Sequence, residues 1–201
     1  MLMAVFCLGA SLIGINAQEK DWANLQRYAQ QNAELPKPDK NEKRVVFMGN
    51  SITEGWVNTH PDFFKSNGYI GRGIGGQTSY QFLVRFREDV INLSPALVVI
   101  NAATNDIAEN TGAYHEDRTF GNIVSMVELA KANHIKVILT TTLPAAAFGW
   151  NPAIKDAPQK IASLNARLKA YAQTNKIPFV DYYSSMVSGS NKALNPAYTK
   201  D

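Results

Sequence analysis

Five short apolar runs recur along the chain, separated by stretches of helical periodicity, and they limit its fold more than any other feature. The runs are Val45-Val46-Phe47-Met48, Tyr69-Ile70 (leading into glycine-rich sequence), Leu97-Val98-Val99-Ile100, Val137-Ile138-Leu139 and Pro178-Phe179-Val180. Helical patterns lie between them over 79–91, 120–132 and 158–172. A strand that is apolar on both faces must be covered on both, as parallel strands joined by crossover helices are. This order predicts an α/β fold: a three-layer α/β/α sandwich around a parallel, five-stranded, flavodoxin-like sheet. In such sheets ligands bind beyond the carboxyl ends of the strands. The loops after Met48, Ile70, Ile100, Leu139 and Val180 are therefore expected to build any site.

The N-terminal residues belong to a different pattern. Leu2 to Ile15 is almost wholly apolar and uncharged, and Ile15-Asn16-Ala17 ends on a small residue before Gln18-Glu19-Lys20-Asp21. This reads as the apolar region and cleavage site of a secretory signal peptide over 1–17, too short to span a bilayer comfortably, although no basic residue precedes it. A buried N-terminal helix and an uncleaved anchor are the competing readings. Cys7, the single cysteine, lies inside this segment, and Phe6 is a poor match for the small residue that precedes a lipidated cysteine. Removal of the segment leaves no thiol for catalysis or metal binding. A secreted or periplasmic location follows. Trp22, Leu25, Tyr28 and Ala29 predict an amphipathic helix from Asp21 to Leu35, and Pro36-Lys37-Pro38-Asp39 ends it. Residues 18–43 are thus a helix and linker, and 44–201 a single domain.

Composition removes several function classes. The net charge is +3 with basic residues scattered, so no stretch resembles a nucleic-acid interface. No His/Asp/Glu cluster has metal-ligand spacing. Gly71-Arg72-Gly73-Ile74-Gly75-Gly76 matches a dinucleotide fingerprint, but Glu88 and Asp89, at about the required distance, fall in a helical pattern rather than at a strand end.

Three loops carry the chemistry. Gly49-Asn50-Ser51-Ile52-Thr53 places a serine directly after the first strand, where a helix N-terminus and free backbone N–H groups favour a developing oxyanion. Alone, Ser51 reads first as a helix N-cap, the commonest reason for a serine at such a place. The loops Gly73-Ile74-Gly75-Gly76-Gln77-Thr78 and Ala103-Thr104-Asn105-Asp106 are expected at the same sheet edge. They add a backbone N–H at a glycine and a neutral amide donor. A nucleophile with two such donors is a constellation for acyl transfer.

At these residues the chain resembles the SGNH hydrolases, the GDSL-like lipases and acylhydrolases. Gly49-Asn50-Ser51 stands for the Gly-Asp-Ser block, Gly76 for the second-block glycine, and Ala103-Thr104-Asn105-Asp106 for Gly-x-Asn-Asp. Asn50 for Asp and Ala103 for Gly are departures. Asn195 to Asp201 resembles the approach to the family's Asp-x-x-His block, with Asp201 as its aspartate. The resemblance implies Ser51 as nucleophile, the Ser51 and Gly76 amides with the Asn105 side chain as oxyanion hole, and Asp201 orienting a histidine base. It requires no cofactor. The implied substrate is a small-molecule ester of a short acyl group such as acetyl, with acylated carbohydrate one candidate.

That histidine would stand three residues beyond Asp201, so the 201 residues alone are expected to hydrolyse esters barely above background. His134 precedes the fourth strand and is expected at the far edge; His60 and His115 follow strand ends and are the alternative bases. Trp56, Phe148 and Trp150 are candidates to line a pocket. The rival function is a non-catalytic binding protein of the same fold that holds an acylated ligand. The export reading predicts a mature N-terminus at Gln18: intact-mass measurement of the secreted protein should show loss of Met1–Ala17, and a full-length cytosolic species would refute it.

Overall fold

The computed structural model describes residues 21–198; the 1–17 segment with Cys7, and Asp201, lie outside them. The first described helix is short, α1 (Ala29–Glu34), preceded by a separate 3₁₀ turn at Leu25–Arg27. This replaces the single helix expected over Asp21–Leu35. The Asp21 carboxylate accepts from the Leu25 and Gln26 N–H groups at 2.8 and 3.0 Å, and Asn24 is left-handed with φ 54°. Buried Tyr28, at φ −117°, then turns the chain against the domain.

The remaining elements run β1 (Val45–Gly49), α2 (Ser51–Thr59), α3 (Pro61–Ser66), β2 (Tyr69–Gly73), α4 (Ser79–Asp89), β3 (Leu97–Ile100), α5 (Thr104–Ile107), α6 (Glu116–Ala132), β4 (Lys136–Thr140), α7 (Ala157–Thr174), β5 (Phe179–Val180) and α8 (Tyr182–Met186). A two-stranded antiparallel ribbon follows, β6 (Val187–Ser188) with β7 (Ala193–Leu194). The five main strands pair in parallel in the order β2-β1-β3-β4-β5, the flavodoxin-like order. All five expected strands form, and β2 extends through Gly73 because its glycines still pair with β1.

The connection from β1 to β2 runs opposite in direction to the other three. With right-handed crossovers it must cover the opposite face of the sheet. Hence α2 and α3 lie on one side, and α4, α6 and α7 on the other. Strand residues alternate between the two layers. Val46, Met48, Val98 and Ile100 are buried in the main core with Phe82, Phe86, Ile123, Met126, Ile161 and Leu164. Phe47 faces the other way and meets Trp56 and Phe64 edge-on, at 5.5 and 5.4 Å between ring centroids. Left-handed residues at His134 (φ 61°) and Lys176 (φ 52°) follow the C-terminal ends of α6 and α7 and return the chain to β4 and β5. This places His134 at the amino edge of the sheet, remote from the loops after the strands.

One buried cation ties the start of this frame together. Arg85 on α4 is fully buried; its guanidinium donates to the Gly49 carbonyl at 3.0 Å, to Gln77 Oε1 at 2.6 Å and to Asp89 at 2.8 Å. Burial pushes the Arg85 pKa down, and the Asp89 carboxylate beside it pushes it back up. Asp89 is thus a structural counter-ion, consistent with its helical position. Arg85→Ala should lower folding stability by about 3–5 kcal/mol, because Asp89 loses its buried counter-ion and Gln77 Oε1 its donor. Urea unfolding of the variant checks this, and a loss under about 1 kcal/mol would contradict it.

Candidate active site

Asn50 follows β1 and caps α2: its side-chain oxygen accepts from the Ile52 N–H at 3.0 Å. The capping role open to Ser51 is therefore filled by its neighbour, and Ser51 is the first helical residue. It is exposed, and among the described residues no hydrogen bond engages its hydroxyl. The asparagine that departs from the family's aspartate keeps the oxygen that the cap needs.

The end of β2 presses against the start of α2. A Cβ on Gly73 would lie 2.6 Å from the Asn50 carbonyl oxygen, a distance that excludes any side chain there. Beyond it, Ile74 N–H donates to the Gly49 carbonyl at 3.1 Å and Gly75 N–H to Glu54 Oε2 at 2.8 Å. A Cβ on Gly75 would be 3.8 Å from the Ser51 Cβ, so this loop passes directly beside the serine. Gly76 follows at φ +75°, a backbone conformation open to glycine at little cost. Its carbonyl accepts from Asn110 Nδ2 at 3.0 Å.

At the end of β3, Ala103 is left-handed, φ 84°, and almost fully buried. This is the conformation that the family's glycine would enter freely, and an alanine holds it at a cost of about 1–2 kcal/mol. The turn delivers Asn105 and Asp106. Asn105 is buried, and its Nδ2 donates to the Gln77 carbonyl at 2.9 Å, which leaves its second N–H free for a ligand. The Asp106 carboxylate accepts from Ser79 N–H at 2.9 Å, from the Ser79 hydroxyl, and from Thr119 Oγ1 at 3.2 Å. Burial pushes the Asp106 pKa up, opposed by these donors. Adjacent residues of one turn thus hold Gln77 and Ser79 of the other.

Ser51 and Asn105 line one cavity of about 920 Å³. Trp56, Phe148 and Trp150 also line it. Its wall also takes Phe47 and Val99 from the sheet, residues 143–148 after β4, and Tyr182, Met186 and Leu194. Phe148 is buried; Trp150 packs on it at 5.2 Å but is 62% exposed. Burial pushes the Tyr182 phenol up. Asn101 and Thr104 line the cavity too, and Asn101 Oδ1 and Thr104 Oγ1 are buried without partners among the described residues. A smaller cavity, about 370 Å³, lies between the N-terminal segment and β2; its walls include Arg27, Glu54 and Arg72 but not Ser51.

The histidines separate by position. His60 lines the large cavity and sits nine residues after Ser51, roughly 13 Å along α2 at helical rise. Its ring nitrogen Nδ1 lies 2.9 Å from Thr59 Oγ1. His115 precedes the first turn of α6 and is not among the cavity residues. Among the described residues no group of three or more His, Cys, Asp or Glu could hold a metal, and no helix is long and apolar enough to cross a membrane.

Sequence reasoning missed Glu54, Asn110 and Arg85, which act on the loops rather than on the cavity.

The model of the GDSL-like lipase/acylhydrolase family matches residues 47–200, and the chain belongs to that family. A solved structure described as an acylhydrolase, from Bacteroides fragilis NCTC 9343, is 99% identical over 91% of this chain and 88% of its own, with a TM-score of 0.90. A GDSL-like lipase from Bacteroides thetaiotaomicron VPI-5482 is 78% identical over 89% of this chain and 87% of its own, TM-score 0.88. The uncharacterised lipoprotein YqeF of Bacillus subtilis (strain 168) is 32% identical over 117 residues, 50% of this chain and 48% of that protein. The match thus spans about half the length of this curated relative.

The Asp106 network yields a stability test. Asp106→Ala removes the acceptor for Ser79 and Thr119 and leaves buried donors without partners, so unfolding free energy should fall by about 2–4 kcal/mol. A chemical denaturation curve indistinguishable from that of the parent would show that the network is not needed.

Proposed function

We propose that this protein is a serine ester hydrolase in which Ser51 is the nucleophile. The observation that carries the reading is a serine freed from capping by Asn50, at the positive end of a nine-residue helix, facing the same cavity as the Asn105 amide. Ser51 Oγ attacks the ester carbonyl carbon and its proton passes to a histidine base. The carbonyl π electrons move onto oxygen, and the resulting oxyanion is received by the Ser51 and Gly76 N–H groups and Asn105 Nδ2. Collapse expels the alcohol, which takes the proton from the base. Water then cleaves the acyl-enzyme by the same route and releases the acid.

The base is assigned by resemblance to the family's histidine, with Asp201 in the place of the aspartate that orients it. His60 is a poor substitute, since about 13 Å of helix separates its backbone from that of Ser51 and proton transfer needs contact at about 3 Å. The acyl group is short, acetyl among the candidates, and the alcohol a small molecule such as a carbohydrate. Trp150, exposed at the cavity rim, offers an aromatic face to the alcohol portion. The relative's designation as a lipoprotein supports an extracytoplasmic location, in keeping with an apolar leader over 1–17.

The test uses the full-length protein with p-nitrophenyl acetate. Ser51→Ala should abolish turnover and labelling by a serine-reactive phosphonate while leaving the fold intact. Asn105→Ala should lower kcat by about 10²–10³-fold. Near-normal turnover in either variant would overturn that residue's role. Tight ligand binding with no turnover in the parent would instead favour the non-catalytic reading.

A further inference from the structure

The Gly75–Gly76 peptide carries the N–H that the proposed mechanism aims at the oxyanion. Two glycines in succession are a poor mount for it. With no Cβ on either side, coupled rotation about the torsions flanking the peptide can turn its N–H away and bring its carbonyl round. A carbonyl oxygen facing the developing oxyanion would repel it.

Two side chains remove that freedom, one on each flank. On the leading side, Gly75 N–H donates to Glu54 Oε2 at 2.8 Å, fixing the Ile74–Gly75 peptide plane. On the trailing side, the Gly76 carbonyl accepts from Asn110 Nδ2 at 3.0 Å, fixing the Gly76–Gln77 plane. The plane between them is therefore held at both ends. Each clamp is itself secured. Glu54 Oε1 pairs with Arg27 of the N-terminal segment at 3.0 Å. Asn110 Oδ1 accepts from Trp150 Nε1 at 2.9 Å, and Asn110 N–H donates to the Asn105 carbonyl at 3.0 Å. The segment that carries Arg27 is docked on the same loop: Tyr28 donates its hydroxyl to the Gly73 carbonyl, and Gln77 Nε2 donates to the Ala23 carbonyl at 2.7 Å.

We infer that Glu54 and Asn110 are positioning residues that aim the Gly76 N–H, and that Arg27 makes the N-terminal segment a working part of the site. The inference rests on the oxyanion role given to Gly76 above. It explains why a carboxylate on the serine's own helix is turned to a backbone N–H. It also gives the segment before the domain a catalytic consequence that a linker would lack.

The experiment measures kcat and KM on p-nitrophenyl acetate, phosphonate labelling rates and thermal midpoints in the full-length protein. Glu54→Ala and Asn110→Ala should each lower kcat roughly 10- to 100-fold, since a mis-aimed donor loses part of its worth, with KM changed less than about twofold. Glu54→Gln keeps an acceptor for Gly75 and should recover most of the loss. Arg27→Ala should fall between Glu54→Gln and Glu54→Ala. Labelling of Ser51 should slow in parallel with kcat. Unchanged kcat in both alanine variants overturns the inference, as does a loss in KM alone. A Glu54→Gln defect as deep as that of Glu54→Ala, matched by a fall in midpoint, also overturns it and leaves a merely structural role. Ser51→Ala and Asn105→Ala run alongside. If these lose turnover while the Glu54 and Asn110 variants keep it, only the positioning role fails; if they keep it, the nucleophile and oxyanion assignments fail first.

Discussion

A guanidinium without water around it must find acceptors, and Arg85 finds three: the Gly49 carbonyl, Gln77 and Asp89. This requirement fixes more of the structure than any apolar contact. Gly49 precedes the cap of α2, so its position sets where Ser51 emerges. Gln77 closes the glycine loop after β2, so its position sets the course of Gly75 and Gly76. Asp89 keeps α4 turned with Arg85 inward. A hydrophobic side chain of equal volume could pack in the same space, but it could not tie the ends of two strands to one helix. Directional donors give the core a single register where packing alone would tolerate several.

From that anchor, the three loops are joined in a chain of polar contacts. Asp106 holds the start of α4 through Ser79, and Asn105 holds Gln77 through its carbonyl. Asn110 then reaches back from beyond α5 to Gly76. Each of the three loops is thus held by a side chain from elsewhere as well as by its own residues. Such cross-bracing suits a site whose donors must be in place before charge develops, because reorganisation during reaction would cancel their advantage. The strain at Ala103 fits the same picture: a left-handed alanine persists because Asn105 and Asp106, two and three residues on, are held on the far side of the turn.

The apolar side of the site is built differently. Among the described residues, the face of the sheet that carries Phe47 and Val99 is covered by two short helices, α2 and α3. Past the end of α2 the covering layer is aromatic, and the cavity opens between it and the segment after β4. The main core lies on the other face, where three longer helices pack without such a gap.

Much of this was legible in the sequence, because it depends on local pattern. Runs apolar on both faces allow no solvent-exposed sheet, so Val45–Met48 and Leu97–Ile100 declared a covered parallel sheet by composition alone. Topology rules then brought the loops holding Ser51, Gly76 and Asn105 to one edge. The N-terminal segment was misread where local pattern competes with distant partners: Trp22, Leu25 and Tyr28 have helical spacing, but Tyr28 is drawn to the Gly73 carbonyl and Asp21 caps a tighter turn. Glu54, Arg85 and Asn110 were silent for the same reason. A charged or amide side chain on a helix or turn is ordinary in sequence, and its meaning lies wholly in the acceptor or donor that folding brings opposite it. The sequence determined the strands, their order and the residue types at the edge. Only the tertiary structure decided which polar groups face one another, because hydrogen bonds between loops 20 to 50 residues apart leave no periodicity to read.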